Sequence, residues 1–195
     1  LSTVDSKTLD AEELMHLALR EAGQNHTDKA IAHLKQLLDA EPQNGRAWYL
    51  IGALHAEIGL YDRAVEEMHK AVALDSDLPA ASFQLGLLYM TSGRADEADS
   101  AWQALDRLGE DSSFYLFKRG LLHLAANEYQ ACIDDLKRGM AMNADNPNLN
   151  IDMQRIAGNA QKLIDESPTQ DSSQETADRD SLLAAYRRSN FDSEY

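Results

Sequence analysis

The scarcities of this chain narrow the possibilities first. It holds one cysteine, Cys132, among 195 residues, so an intrachain disulfide is excluded and a reducing compartment suits it. Prolines number 4, and none falls inside a predicted helix beyond its first residue. Aromatics are 7% of the chain, and Thr, Val and Ile are sparse beside Ala and Leu. That balance favours helix, because Ala and Leu lose little rotamer freedom there. Positive charge is short as well, with 18 basic residues against 33 acidic and a formal charge of −15. A nucleic-acid partner is therefore not expected, since phosphates need a basic face, and an anionic membrane surface is disfavoured for the same reason. A cationic protein partner would be favoured at encounter, although solubility alone also accounts for an acidic surface.

Long apolar runs are missing, so no membrane insertion is expected. No basic-then-apolar leader opens the chain, which points to a cytoplasmic protein. The first residue is Leu rather than Met, which leaves an earlier, removed segment open.

Catalytic signatures are missing too. There is no GxSxG, P-loop or GxGxxG motif, and the six histidines form no HxxxH or HExxH pair. No enzyme activity, cofactor or metal is expected. His55 and His123 occupy equivalent places 68 residues apart and read as polar-tipped fillers between helices, with a metal site as the alternative. Cys132 reads as an inert buried thiol. The acid pairs Glu66–Glu67, Asp96–Glu97 and Asp134–Asp135 read as solvated surface.

What the chain does have is a period. Gly52, Gly86 and Gly120 lie 34 apart, as do Ala30, Ala64 and Ala98, with Cys132 continuing that column. Leu34, Met68, Trp102 and Leu136 form a bulky column, and Leu17, Ile51 and Leu85 another. Small residues at Gly52 and Ala64 allow two helices to cross closely, while Trp48, Met68 and Trp102 fill the space between crossings. One such unit cannot bury its own apolar face, so neighbours must stack on it.

A 34-residue helix–turn–helix period is that of the tetratricopeptide repeat, and the chain resembles that family. Residues 45–78 match best, through Trp48, Ile51, Gly52, Gly59, Tyr61, Ala64, Met68 and Ala71. Residues 79–112 match through Leu85, Gly86, Tyr89, Gly93, Ala98 and Trp102. Residues 113–146 match through Gly120, Tyr129 and Leu136, and residues 11–44 through Leu17, Ala18, Ala30, Leu34 and Pro42. Arg119 stands where the family has Leu, Asp99 where an apolar residue is usual, and Leu37 and Leu105 where a small one is. Asn25 and Asn127 replace the turn Gly, which Asn tolerates. These departures leave open the crossing details of the first, third and fourth repeats.

The resemblance implies an all-α fold, an α-solenoid of four 34-residue repeats. Helices are expected at 11–22, 27–40, 45–58, 61–74, 79–91, 95–108, 113–126 and 128–142. Asp10 and Glu13 have the spacing of a capping box. Residues 1–10 form an N-terminal extension, 147–166 a capping helix, 167–178 a polar linker and 179–195 a short helical tail segment. Leu182, Leu183 and Tyr186 would share one face of that segment, near Phe191. The segment reads either as a tethered docking element or as a frayed acidic tail.

In arrays of this family the first helix of each repeat lines a concave groove. The groove positions read Met15, Leu19, Tyr49, Ala53, Phe83, Gln84, Leu87, Met90, Phe117, Lys118, Leu121 and Leu124, with Ile151 continuing from the capping helix. This apolar, aromatic-rich ladder implies a scaffold, adaptor or chaperone-like module that binds an apolar peptide or helix, with basic flanks as an option. It resembles the grooves of bacterial tetratricopeptide chaperones and adaptors. The family's carboxylate-clamp lysines and asparagines are missing, which argues against capture of a C-terminal carboxylate. Burying three or four large side chains, at about 1.5–3 kcal/mol each, would support roughly micromolar binding. The alternative is self-association, with Leu182, Leu183, Tyr186 and Phe191 filling the groove of the same chain or a second copy.

Overall fold

The structure is a computed structural model that describes residues 9–166. The tail residues Leu182, Leu183, Tyr186 and Phe191 lie outside the described residues, as does most of the N-terminal extension. The described helices are α1 (Ala11–Ala22), α2 (Thr27–Ala40), α3 (Gly45–Glu57), α4 (Tyr61–Leu74) and α5 (Pro79–Thr91). They continue with α6 (Ala95–Asp106), α7 (Ser113–Ala125), α8 (Tyr129–Met142) and α9 (Pro147–Glu166). The helices expected between residues 11 and 166 are present, with ends that differ by two residues at most. The largest trim is at α6, which stops at Asp106 and gives way to a 3₁₀ turn, Gly109–Asp111. Among the described residues there is no strand, and no helix is long and apolar enough to cross a membrane.

Local chemistry fixes the helix starts. The Asp10 carboxylate accepts from the Glu13 N–H at 2.8 Å, and Glu13 Oε2 accepts from the Asp10 N–H at 3.0 Å. That reciprocal pair satisfies two amides that the first turn leaves without partners. Asn44 caps α3 by accepting from the Ala47 N–H at 3.0 Å.

The turn inside each repeat has one backbone design. Asn25, Gly59, Gly93 and Asn127 take positive φ of 58°, 78°, 75° and 63°. This left-handed step suits only Gly and Asn at low cost. The next N–H then returns to a carbonyl in the last turn of the first helix. The bonds are His26 to Glu21 at 2.9 Å, Leu60 to His55 at 2.8 Å, Arg94 to Tyr89 at 2.9 Å and Glu128 to His123 at 2.9 Å.

The chain divides into two compact units, at Ala81/Ser82. In the N-terminal unit, Leu14, Ala18, Ala30, Leu34, Leu37, Ala47, Ile51 and Leu54 form one buried cluster. Ala64, Met68 and Ala71 of α4 are fully buried too. At Gly52 a side chain would meet Ala64 O, Glu67 Cβ and Met68 Cε, each at 3.3 Å. Close approach is thus the reason for the small residue.

The core of the C-terminal unit is built around Phe83, Trp102, Leu105, Phe117, Leu121 and Leu136. The Trp102 indole lies directly over Gly86, stacks on Phe83 with centroids 6.2 Å apart, and donates from Nε1 to Phe83 O at 3.0 Å. Helix α9 lays Leu149, Met153, Ile156, Ala157 and Ala160 onto this core. It therefore does what a terminal cap must, which is to cover the open apolar side of the last repeat. Asn143 and Asn150 join α8 to α9: Asn143 Nδ2 donates to Asn150 Oδ1 at 2.8 Å, and Asn150 Nδ2 donates to Asn143 O at 2.9 Å.

Candidate binding face

Helix α1 sends Leu14 and Ala18 inward, which turns Met15 and Leu19 toward the flank. Those two lie one helical turn apart. Helix α3 sends Ala47, Ile51 and Leu54 inward, and Tyr49 and Ala53 sit on the equivalent flank. Leu19 is 39% exposed, while Met15, Tyr49 and Ala53 are half-buried. Burial pushes the Tyr49 hydroxyl above its ordinary pKa. Glu12, His16, Arg46 and Glu57 are exposed on the same helices. His16 Nε2 is 3.9 Å from Glu12 Oε1, and desolvation pushes the Glu57 carboxyl upward. Trp48, beside Tyr49, has a packing job: its Nε1 donates to Pro42 O at 2.8 Å and its ring lies under Lys70.

In the C-terminal unit most expected groove residues are not open. Phe83 and Phe117 have no exposed surface, Leu121 and Leu124 have 1%, and Leu87 has 3%. The Phe83 ring meets Phe114 at 5.7 Å and Phe117 at 6.0 Å. Phe117 also fills the space beside Gly139, where a side chain would meet its Cε1 at 2.6 Å. Rings of this size, with glycine opposite, complete the core instead of lining a groove. Lys118 is not an open cation either. It is buried, with Nζ donating to Asp106 Oδ1 at 2.7 Å. Gln84 and Met90 are partly buried, and Ile151 on α9 is 58% exposed.

Two of the acids read as solvated surface are structural partners. The carboxylate of Glu67 Oε2 lies 2.6 Å from Nδ1 of the buried His55. The buried Asp135 accepts from Arg119 at both oxygens, at 2.5 and 2.6 Å. Arg119 also donates to Glu110 at 2.6 Å, and Arg138 donates to Glu110 at 2.7 Å. His123 Nε2 lies 3.5 Å from Asp135 Oδ2, and its Nδ1 faces Glu128. These bonds hold the Glu110 carboxyl down at about 2, through Arg138 first and Arg119 second. They raise the Arg119 guanidinium further, mainly through Asp135. The sequence signal for this cluster was Arg119 itself, a charge in an apolar column that needed an acid facing it across the helix pair.

The turn clasps vary where the backbone does not. Glu21 pairs with His26 at 2.9 Å in the first repeat, with Arg20 also held at 3.1 Å. In the fourth the signs are reversed, with His123 facing Glu128. In the third, the Arg94 guanidinium lies 4.5 Å from the Tyr89 ring centroid.

Reactive chemistry has little footing. The Cys132 thiol is fully buried and is pushed up to about 12, by desolvation first and by Asp135 second. A neutral buried thiol is a poor nucleophile. Among the described residues no group of three His, Cys, Asp or Glu side chains is placed to hold a metal ion.

Helix pairs crossing at small residues, a fixed left-handed turn every 34 residues and a terminal cap define a helical-repeat fold of the tetratricopeptide kind. Residues 16–79 match the family model described as tetratricopeptide repeat. It is 26% identical over 125 residues to tetratricopeptide repeat protein 13 of Homo sapiens, covering 62% of this chain and 14% of that protein. It is 30% identical over 111 residues to superkiller complex protein 3 of Mus musculus, covering 57% of this chain and 7% of that protein. The match thus spans only a small part of either curated relative. Among solved structures, a MamA protein aligns over 95% of this chain and 97% of its own, with TM-score 0.55 and 19% identity. YrrB, described as a TPR protein with an unusual peptide-binding site, aligns over 95% and 88%, with TM-score 0.55 and 14% identity. At these identities both likenesses speak for the fold alone.

Proposed function

We propose that the chain is an interaction scaffold that binds an apolar protein segment on the α1–α3 face of its N-terminal unit. The observation that carries the reading is the exposure of Leu19, with half-buried Met15 one helical turn before it on α1 and half-buried Tyr49 at the position of α3 equivalent to Met15. Apolar groups left at the surface at repeated positions are suited to take up an apolar partner. Burying the three side chains would supply about 1.5–3 kcal/mol each, and ordering costs reduce that to weak or micromolar affinity. The preferred partner carries Lys or Arg beside its apolar residues, because residues 9–81 hold thirteen acidic against six basic residues. The peptide-binding site named for YrrB supports the same class of activity.

The test uses fluorescence anisotropy with 15-residue peptides bearing three large apolar side chains and either Lys or Glu flanks. Lys-flanked peptides are expected to bind at least ten-fold tighter than Glu-flanked ones. Leu19→Asp and Tyr49→Ala should each weaken binding about ten-fold or more, with an unchanged helical spectrum. Absence of binding, or equal binding by Leu19→Asp, would discard this face.

A further inference from the structure

We infer that Asn44–Gly45, at the start of α3, is a site of covalent modification in the folded chain: the Asn44 side-chain amide is lost by ring closure with the Gly45 backbone nitrogen, at a rate set by opening of the helix cap. It is the only Asn–Gly pair in the sequence. The site lies wholly within the N-terminal unit and does not depend on the binding reading above.

Two separate packing demands put these residues side by side. Asn44 is the N-cap of α3, with an extended backbone (φ −77°, ψ 93°) and Oδ1 accepting from the Ala47 N–H at 3.0 Å. Asparagine is among the best residues for that place. Gly45 is buried at the first helical position, where a side chain would meet Asp75 Cβ at 2.8 Å and both Ala71 O and the Asp75 nitrogen at 3.3 Å. The end of α4 thus excludes a larger residue. The resulting pair is open to attack on the side-chain amide, because glycine has no Cβ to shield its nitrogen or to resist the backbone turn that ring closure needs.

The atoms balance with water alone. The Gly45 nitrogen gives its proton to hydroxide and bonds to Asn44 Cγ, and the side-chain nitrogen leaves as ammonia. The amide of a helix's first residue has no partner within the helix, so no intrahelical bond must break to free this nitrogen. One water then opens the cyclic imide. Attack at Cγ gives aspartate, and attack at the main-chain carbonyl carbon gives isoaspartate.

Two hydrogen bonds guard the amide. Besides the cap bond, Asn44 Nδ2 donates to Glu41 Oε2 at 2.9 Å. Both must release before Cγ can swing onto the Gly45 nitrogen, so the reaction draws on the fraction of chains whose cap is open. The two products then differ. Aspartate keeps the cap oxygen and suits the positive end of the helix, but it sets a carboxylate oxygen where Nδ2 faced Glu41. Isoaspartate turns the cap oxygen into a main-chain carbonyl and lengthens the backbone where Gly45 is pressed against Asp75.

The experiment ages the full chain at mildly alkaline pH, folded and in guanidinium chloride. The peptide containing Asn44 is followed by mass spectrometry, with fragmentation that separates aspartate from isoaspartate. Asn44 should convert before any other asparagine in both samples, and about 10- to 100-fold more slowly in the folded chain. Glu41→Ala, at an exposed position, removes one guard and should speed the folded reaction about two- to ten-fold, the worth of one hydrogen bond. Glu41→Gln retains an acceptor and should stay within about two-fold of the natural chain. Asn44→Ser keeps a cap without the amide and should yield no product at this position, with an unchanged helical spectrum. The inference is overturned if the folded chain keeps its Asn44 amide through about 100 half-lives of the unfolded reaction, or if another asparagine converts first. Equal rates folded and unfolded, or a Glu41→Ala rate equal to that of the natural chain, would overturn control by the cap.

Discussion

Alanine at Gly86 would put a methyl carbon 2.1 Å from Trp102 Nε1, 2.3 Å from Cδ1 and 2.4 Å from Cε2. The indole is fully buried, stacked on Phe83 and bonded to the Phe83 carbonyl, so it has nowhere to retreat. Gly→Ala inside a helix gains about 1 kcal/mol of propensity. Overpacking costs about 1–3 kcal/mol, and an orphaned buried hydrogen bond costs another ~1–3 kcal/mol. The net expectation is destabilisation by about 1–5 kcal/mol. The equivalent glycines behave differently although they share a sequence column. At Gly120 the new methyl meets Leu136 Cδ2 at 2.7 Å and Cγ at 2.9 Å, so this buried side chain must shift, but it is aliphatic and carries no hydrogen bond to lose, and Gly120→Ala should destabilise by less than Gly86→Ala, about 1 kcal/mol. At Gly52 the three nearest atoms, a backbone carbonyl among them, are at 3.3 Å and must give by a few tenths of an ångström, which offsets the helix propensity gained, so Gly52→Ala should lie within about 1 kcal/mol of the natural chain. Urea unfolding by circular dichroism ranks the three, and tryptophan emission reports the Trp102 site. Gly86→Ala within about 0.5 kcal/mol of the natural chain, or Gly52→Ala as damaging as Gly86→Ala, would refute the packing argument.

Two further outcomes follow from the charge cluster. Arg119→Leu restores the family's usual residue yet strands the buried Asp135, so it should destabilise by about 2–3 kcal/mol, and pairing it with Asp135→Ala should recover most of that; strict additivity in urea unfolding would count against the pair. The folded-state pKa of Glu110 lies below its ordinary value of 4.5, so its stabilisation is present above that value and fades as pH falls toward about 2. The unfolding midpoint should therefore drop more between pH 5 and pH 2.5 in the natural chain than in Glu110→Gln, and parallel drops would show that the carboxylate contributes nothing.

Much of the architecture was legible in the chain because packing constrains residue size. Gly52, Gly86 and Ala64 announced helix crossings, and Asn25 and Asn127 could be read as turn residues because few others tolerate positive φ. Depth was not legible. Tyr49 and Phe117 occupy equivalent positions with rings of similar size, yet one is half-buried and the other fully enclosed. The difference lies in what faces them: Gly139 opens room that Phe117 fills, a contact 22 residues away that no periodic pattern encodes. The same limit hid Glu67 and Asp135, whose neighbours Glu66 and Asp134 are exposed. Adjacent acids point to different sides of a helix, and only the facing His55 or Arg119 distinguishes them.

The four intrarepeat turns share one backbone but not one side-chain clasp. Join the first helix of the first repeat to the turn of the fourth and Glu21 would confront Glu128, two carboxylates where the first and fourth turns each pair an acid with a histidine. The reverse exchange would bring His123 against His26. Stacked repeats of near-identical shape are open to shuffled pairings while they fold, since any hairpin can rest on any other. Each clasp joins residues five apart in one chain, so it closes its own hairpin before long-range packing is in place, whatever that hairpin later rests on. The chain thereby repeats one backbone while its turns are closed by different side chains.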